Sequence, residues 1–183
     1  MLILGIDPGA RETGVAVVDF GDRRAGPALV ISTTVRSTAP TAVYLPVPAD
    51  YLAAIVETIG PIVNALPRVD GVAVEDVVAP NLHMERAAYS TAPIMATAQV
   101  SGWCLGLLAE HWPLAIRVPP HGNGGAPLGA YPPQLVSDTE RRNPNWRIRP
   151  GGDKAKLRHE RSAYDVARVG HRLHTSTTRP TLR

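Results

Sequence analysis

The chain has 183 residues, 44% hydrophobic and 19% charged: enough apolar residue for one packed domain, with no unbroken run long enough for a membrane span. A single cysteine, Cys104, excludes an internal disulfide framework and any multi-cysteine zinc site. The formal charge of +3 hides a division: residues 1–140 carry 7 basic and 13 acidic side chains, a net of −6, whereas residues 141–183 carry 12 and 3, a net of +9.

In chain order, residues 2–7 read as a buried strand ending on a carboxylate, with Pro8, Gly9 and Ala10 as a turn. Residues 13–20, with Val15, Val17 and Val18, read as its hairpin partner, and residues 28–35 as a third strand. A Pro- and Thr-containing connection covers 36–48. Leu52, Ile55, Val56, Ile59, Ile62, Val63 and Leu66 recur at three- and four-residue intervals, which predicts a helix over 49–66. Asp50 is its expected N-cap, and Pro61 the point where it bends or divides. Residues 69–78 read as a buried strand with Glu75 and Asp76 at its exit. A long helix follows over 83–112, disturbed at Pro93. Its small residues Ala98, Gly102 and Gly106 form a stripe that faces either the sheet or a second subunit. Residues 114–118 are a fifth strand. Residues 119–133 are dense in Pro and Gly and read as a mobile loop. A short helix over 134–142, a loop over 143–153 and a final helix over 154–173 complete one domain, residues 1–173. Residues 174–183 read as a disordered basic tail. The order predicts an α/β fold: a five-stranded mixed sheet, three antiparallel strands then parallel ones, flanked by helices. Asp7 breaks the opening apolar run, so no leader is expected and a cytoplasmic location fits.

Three acids are placed suggestively. Asp7 ends the first strand, Glu75 ends the fourth, and Asp165 lies in the final helix. Strands one and four, if adjacent and parallel, bring Asp7 and Glu75 to one sheet edge, and a helix across that edge brings Asp165 to them. Each acid alone has a plain structural explanation: a turn-former before Pro-Gly, a strand end, a solvated helix residue. Together they form a carboxylate cluster, costly to bury without cations. A hard divalent ion resolves that cost, Mg²⁺ with Mn²⁺ as a substitute. Two such ions roughly 4 Å apart would suit phosphodiester hydrolysis.

Gly5-Ile6-Asp7-Pro8-Gly9 followed by Thr13-Gly14-Val15-Ala16-Val17-Val18 resembles the opening motif of the RuvC-type Holliday junction resolvases. Val72-Ala73-Val74-Glu75-Asp76 resembles their second motif, and His159-Glu160-Arg161-Ser162-Ala163-Tyr164-Asp165-Val166-Ala167 their last, in the version found in bacteriophages of actinobacteria. The three segments keep the family's order and span most of the chain. The resemblance implies a ribonuclease H-like fold and a homodimer that nicks Holliday junctions or related branched DNA in the host-cell cytoplasm. It gives Asp7, Glu75 and Asp165 the catalytic, metal-binding roles.

The departures are specific. The family's further Asp or His, three residues before the last acid, is Ser162 here. It stays on the helix face of Asp165 and would hold a metal-bound water without a carboxylate's charge. His159 and Glu160 point around the helix, away from the site. Asp76 alternates to the opposite face. Residues 119–133 hold no Lys or Arg, and Val77 and Val78 stand where the family carries an aromatic wedge. Phosphate contacts are therefore expected at Arg141, Arg142, Arg147, Arg149, Lys154, Lys156, Arg158 and Arg161, with Arg158 two helical turns from Asp165. The same basic stretch also fits a solubilising tail. Trp146 fits either stacking on an unpaired base or packing on the domain. His83, His111 and His121 are unpatterned and read as surface or hydrogen-bonded. Two other readings stand beside the nuclease. One is a non-catalytic module that binds branched DNA or a protein. The other is an actin-like or sugar-kinase ATPase domain, for which the chain is too short.

Overall fold

The structure is a computed structural model. It describes residues 1–21, 24, 26–40, 44–65, 69–78, 91–109, 111–112, 115–120, 122–151 and 156–177. Lys154, His83, His121, the first part of the expected long helix (83–90) and residues 178–183 lie outside them.

Five strands form one sheet: β1 (Leu2–Asp7), β2 (Glu12–Asp19), β3 (Ala28–Arg36), β4 (Gly71–Glu75) and β5 (Ile116–Val118), in the order β3-β2-β1-β4-β5. The β1–β2 and β2–β3 pairs are antiparallel, and the β1–β4 and β4–β5 pairs parallel. This is the mixed sheet the element order predicts.

Strand periodicity sorts the core into two layers. Leu4, Ile6, Val15, Val17, Val72 and Val74 face helices α1 (Ala49–Ala65) and α2 (Thr91–Leu108), which bury Tyr51, Ile55, Ile59, Val100 and Cys104 against them. Ile3, Ala16, Val18 and Ala73 face the other way, against Ala163, Val166 and Ala167 of a C-terminal helix, α4 (Arg158–Thr177). Each fully buried Ile or Val is worth about 1.5–3 kcal/mol relative to exposure.

Several elements differ from expectation. Helix α1 begins at Ala49, so Asp50 lies in its first turn, and it runs unbroken through Pro61. Pro61 and Glu57, one turn earlier, are both exposed, so the lost hydrogen bond falls on the solvent side. The α2 stripe of Ala98, Gly102 and Gly106 is exposed and does not face the sheet. Burial pushes the Cys104 thiol up to about 12, which marks it as a core residue. Helix α4 reaches Thr177, four residues past its expected end. The described segment 122–133 is not a free loop. Short 3₁₀ turns at Leu128–Ala130 and Pro133–Leu135 bury Leu128, Tyr131 and Leu135 in the second core layer. Proline and glycine set its turns, but the apolar side chains between them decide where it sits. Ser137 then caps the short helix α3 (Asp138–Arg141) through a capping box with Glu140. No helix among the described residues is long and apolar enough to cross a membrane.

Helix α4 touches the sheet backbone to backbone. A Cβ at Gly5 would strike the carbonyl oxygen of Ala163 and lie 2.7 Å from the amide nitrogen of Ala167; one at Gly14 would strike the carbonyl oxygen of His159. Gly5→Ala is therefore expected to lower stability by about 3 kcal/mol in urea unfolding. Gly102→Ala, with nothing within 4 Å, is expected to raise it by about 0.5–1 kcal/mol. Equal effects would mean that α4 does not lie as close to β1 as described.

Candidate active site

The parallel β1–β4 register pairs Ile6 with Val74, so the next residues, Asp7 and Glu75, stand level at the carboxyl edge of both strands. Alternation puts Ile3, Gly5 and Asp7 on the α4 face, with Ala73 and Glu75 beside them. Asp7 is only 5% exposed. Burial, then a hydrogen bond and charge repulsion from Asp7, push the Glu75 carboxyl up from 4.5 to about 8. The Asn123 side-chain amide, which donates to Glu75 Oε1 at 2.6 Å, and the positive charge of Arg158 act against that shift. Without a cation, the pair keeps a proton at neutral pH.

The turn after Asp7 is held from α1. The Tyr51 hydroxyl donates to the Gly9 carbonyl at 3.0 Å and lies 2.7 Å from the Thr13 hydroxyl. His159 borders the site, contrary to the helical-offset expectation. Its Nδ1 lies 2.9 Å from Asp7 Oδ2 and its Nε2 3.2 Å from Glu12 Oε2, and Glu12 in turn pairs with Arg36. A helical offset compares positions around the helix axis alone. A helix lying across a sheet meets a different strand at each turn, and His159 sits over Gly14, the β2 residue paired with Asp7. Glu160 instead accepts a hydrogen bond from Ser32 on β3. Asp76 pairs with Arg117.

Asp165 is 9% exposed. Its Oδ2 accepts hydrogen bonds from the Tyr131 hydroxyl at 2.6 Å and the Gly124 amide at 3.0 Å. Its other oxygen lies 3.5 Å from Arg168. Ser162 is buried beneath Gly124. The consecutive residues Asn123 and Gly124 therefore bridge Glu75 and Asp165. Asp7 and Glu75 face one another, while the described Asp165 oxygens are turned to Gly124, Tyr131 and Arg168. Among the described residues, no group of three His, Cys, Asp or Glu is gathered closely enough to hold a metal. The expected ligands Asp7, Glu75 and Asp165, with Ser162 as the fourth position, therefore stand as a facing pair and a separately hydrogen-bonded third acid. The donor chemistry still fits a hard divalent cation at the Asp7–Glu75 pair: two adjacent carboxylates, Asp7 buried and Glu75 half-buried, retaining a proton where a cation would relieve the repulsion.

The basic residues divide. Arg141, Arg142, Arg147, Arg149 and Lys156 are exposed. Arg158 is partly buried and its charge acts on Glu75. Arg161 departs from its expected DNA-contacting role: it is 0% exposed, pairs with Glu140 at 3.0 Å and donates to the Leu135 carbonyl at 3.0 Å. Trp146 packs partly against the second core layer, with Arg147 5.4 Å over its ring. Asn123, Gly124, Tyr131 and His159 are the site residues that sequence reasoning did not select. The signal available for the first three was a glycine-flanked asparagine and a tyrosine inside a segment otherwise read as punctuation.

The strand order, the hairpin leading into parallel strands and the helix across the acid edge define a ribonuclease H-like α/β fold. Solved structures share it. RuvC of Thermus thermophilus in complex with a Holliday junction substrate matches at TM-score 0.55 and 16% identity, over 97% of this chain and 96% of that one. A second Thermus thermophilus RuvC structure matches at TM-score 0.54 and 19% identity, with the same coverage. No protein-family model and no curated protein matches the chain.

Two predictions follow from the site's electrostatics. The folded Glu75 carboxyl holds a proton that the unfolded chain releases near 4.5. Its contribution to stability is therefore present below that value and lost as pH rises towards about 8. In EDTA, the urea midpoint of the wild type should fall with pH across this window more steeply than that of Glu75→Gln; parallel slopes would reject the shift. Separately, Arg161→Ala should cost about 3 kcal/mol, because it empties a fully buried position and removes both the pair with half-buried Glu140 and the hydrogen bond to the Leu135 carbonyl. Arg142→Ala, at an exposed position, should stay within about 0.5 kcal/mol of the wild type.

Proposed function

We propose that this chain is a metal-dependent, structure-selective DNA endonuclease that nicks Holliday junctions or related branched DNA. The observation that carries the reading is the side-by-side placement of Asp7 and Glu75 at the carboxyl edge of parallel strands, with the Asp165 helix packed across the same edge. The RuvC fold supports it, and one of the matched RuvC structures holds a Holliday junction substrate. The wording of the last motif sets the proposed enzyme near the actinobacteriophage branch.

In this reading Asp7 and Glu75 would hold Mg²⁺, or Mn²⁺ in its place, and Asp165 would complete a site for two ions. Bound there, such ions would supply Lewis-acid polarisation of the phosphate and a nucleophilic water at neutral pH. His159, fixed on its far side by Glu12, orients the Asp7 carboxylate. Arg158 brings positive charge beside Glu75, where the scissile phosphate would lie. Arg141, Arg142, Arg147, Arg149 and Lys156 grip flanking phosphates. A four-way junction offers two equivalent strands, so the proposed working form is a homodimer with one site for each.

One observation favours a second reading, a non-catalytic module that binds branched DNA: Asp165 is engaged by Tyr131 and Gly124 rather than by the other acids. Cleavage of a synthetic four-way junction separates the two. The nuclease reading expects nicking with Mg²⁺ or Mn²⁺, abolished in Asp7→Asn while junction binding and the folded circular-dichroism spectrum persist. A wild type that binds the junction but never nicks it supports the module. Binding is also expected to weaken steeply with salt, and Arg142→Ala/Arg147→Ala to reduce the log–log slope by about 2. An unchanged slope would remove these arginines from the interface.

A further inference from the structure

Residues 122–126 lie directly across the acids. The Asn123 amide nitrogen donates to Glu75 Oε1 at 2.6 Å and also to the Pro119 carbonyl at 3.0 Å. The next residue, Gly124, donates its backbone N–H to Asp165 Oδ2 at 3.0 Å. Tyr131 closes the arrangement: its hydroxyl donates to the same Asp165 oxygen at 2.6 Å and accepts from the Ala126 amide at 3.1 Å. The segment is shaped for this position. Gly122 and Gly124 both have φ of +75°, which favours glycine, and a Cβ on Gly124 would press on the α4 backbone at Arg158 and Ser162. Gly122 and Gly125 face outward and are exposed.

These donors use lone pairs on the acid oxygens that a cation would ligate. Asp165 Oδ2 already receives two of them. We infer that residues 122–126 form a strap that competes with the cation: Asn123 and Gly124 hold Glu75 and Asp165 to the protein's own N–H groups, and lifting the strap admits the metal and frees Asp165 to join Asp7 and Glu75. The inference rests on the acids being the cation site proposed above, and it adds a step between binding and activity that the strap controls.

Mn²⁺ binding followed by electron paramagnetic resonance tests this without any cleavage assay. Four proteins are titrated: wild type, Asn123→Ala, Asp7→Asn and the double variant. Loss of a hydrogen bond to a carboxylate should tighten Mn²⁺ binding of Asn123→Ala by about tenfold, and Asp7→Asn should abolish binding in both backgrounds. Hydrogen exchange at residues 122–126 of the wild type should speed up when Mn²⁺ is added. If Asn123→Ala binds Mn²⁺ no more tightly than the wild type while Asp7→Asn still abolishes binding, the strap is overturned and the acid site stands. If no variant binds Mn²⁺, or Asp7→Asn binds it undiminished, the acid site is overturned and the strap with it.

Discussion

Helix α4 rests on the sheet at places where side chains are missing. Gly14 of β2 lies under His159, Gly5 of β1 lies under Ala163 and Ala167, and Gly170 of the helix itself lies over Ala73 of β4. These contacts cross three adjacent strands, so they fix both the height and the direction of the helix over the sheet. A glycine inside a strand weakens it by roughly 0.5–1 kcal/mol. Burial of Ala163, Val166 and Ala167 against Ile3, Ala16 and Ala73 offsets that cost. The placement of the site follows from this contact. His159 can reach Asp7 only because its own backbone lies against Gly14, and Asp165 comes to the acid edge because the same helix runs on over β1.

That geometry brings acids together in a place with few compensating cations. Asp7 and Glu75 relieve their repulsion by retaining a proton, by the His159 contact and by the Asn123 amide. Asp165 is satisfied differently, by a tyrosine hydroxyl, a backbone N–H and a marginal contact with Arg168. Neutral donors from one short segment thus do much of what a cation would do. A neutral donor satisfies a carboxylate without cancelling its charge, so the acids remain a strong field for a divalent ion.

How much of this was legible in the sequence depends on the kind of signal. The strands ending at Asp7 and Glu75 were legible because alternation and apolar runs report burial directly, and the mixed sheet followed from their order. Helix α1 was legible from its apolar spacing even though Pro61 suggested a break, since one exposed proline does not outweigh Ile55, Ile59 and Ile62 packed below it. The strap was not legible. Proline and glycine density announces turns, but says nothing about whether Leu128, Tyr131 and Leu135 will carry those turns into the core. Arg161 failed for the opposite reason: a basic stretch reads as surface, and only the fold shows that Glu140 and the Leu135 carbonyl surround one of its members. His159 was missed because a helical offset measures angle about an axis, not position along a sheet.

The two halves of the charge division meet through one folded segment. The strap leads into Leu128, whose N–H donates to the Arg149 carbonyl at 2.8 Å, and Pro127 bridges to Pro150. Gly129 lies so close to Arg147 that a Cβ there would crowd its backbone and side chain. Further on, Leu135 and Glu140 clasp Arg161 and so tie the segment to α4. The segment that offers the Gly124 N–H and the Asn123 side chain to the acids is therefore hydrogen-bonded, through Leu128, to the backbone that displays Arg147 and Arg149 to solvent. The acidic first 140 residues provide Asp7 and Glu75, and the basic remainder provides Asp165 together with the exposed Arg147 and Arg149. Residues 122–150 set the acids and these arginines beside each other, so opposite charges share one folded segment.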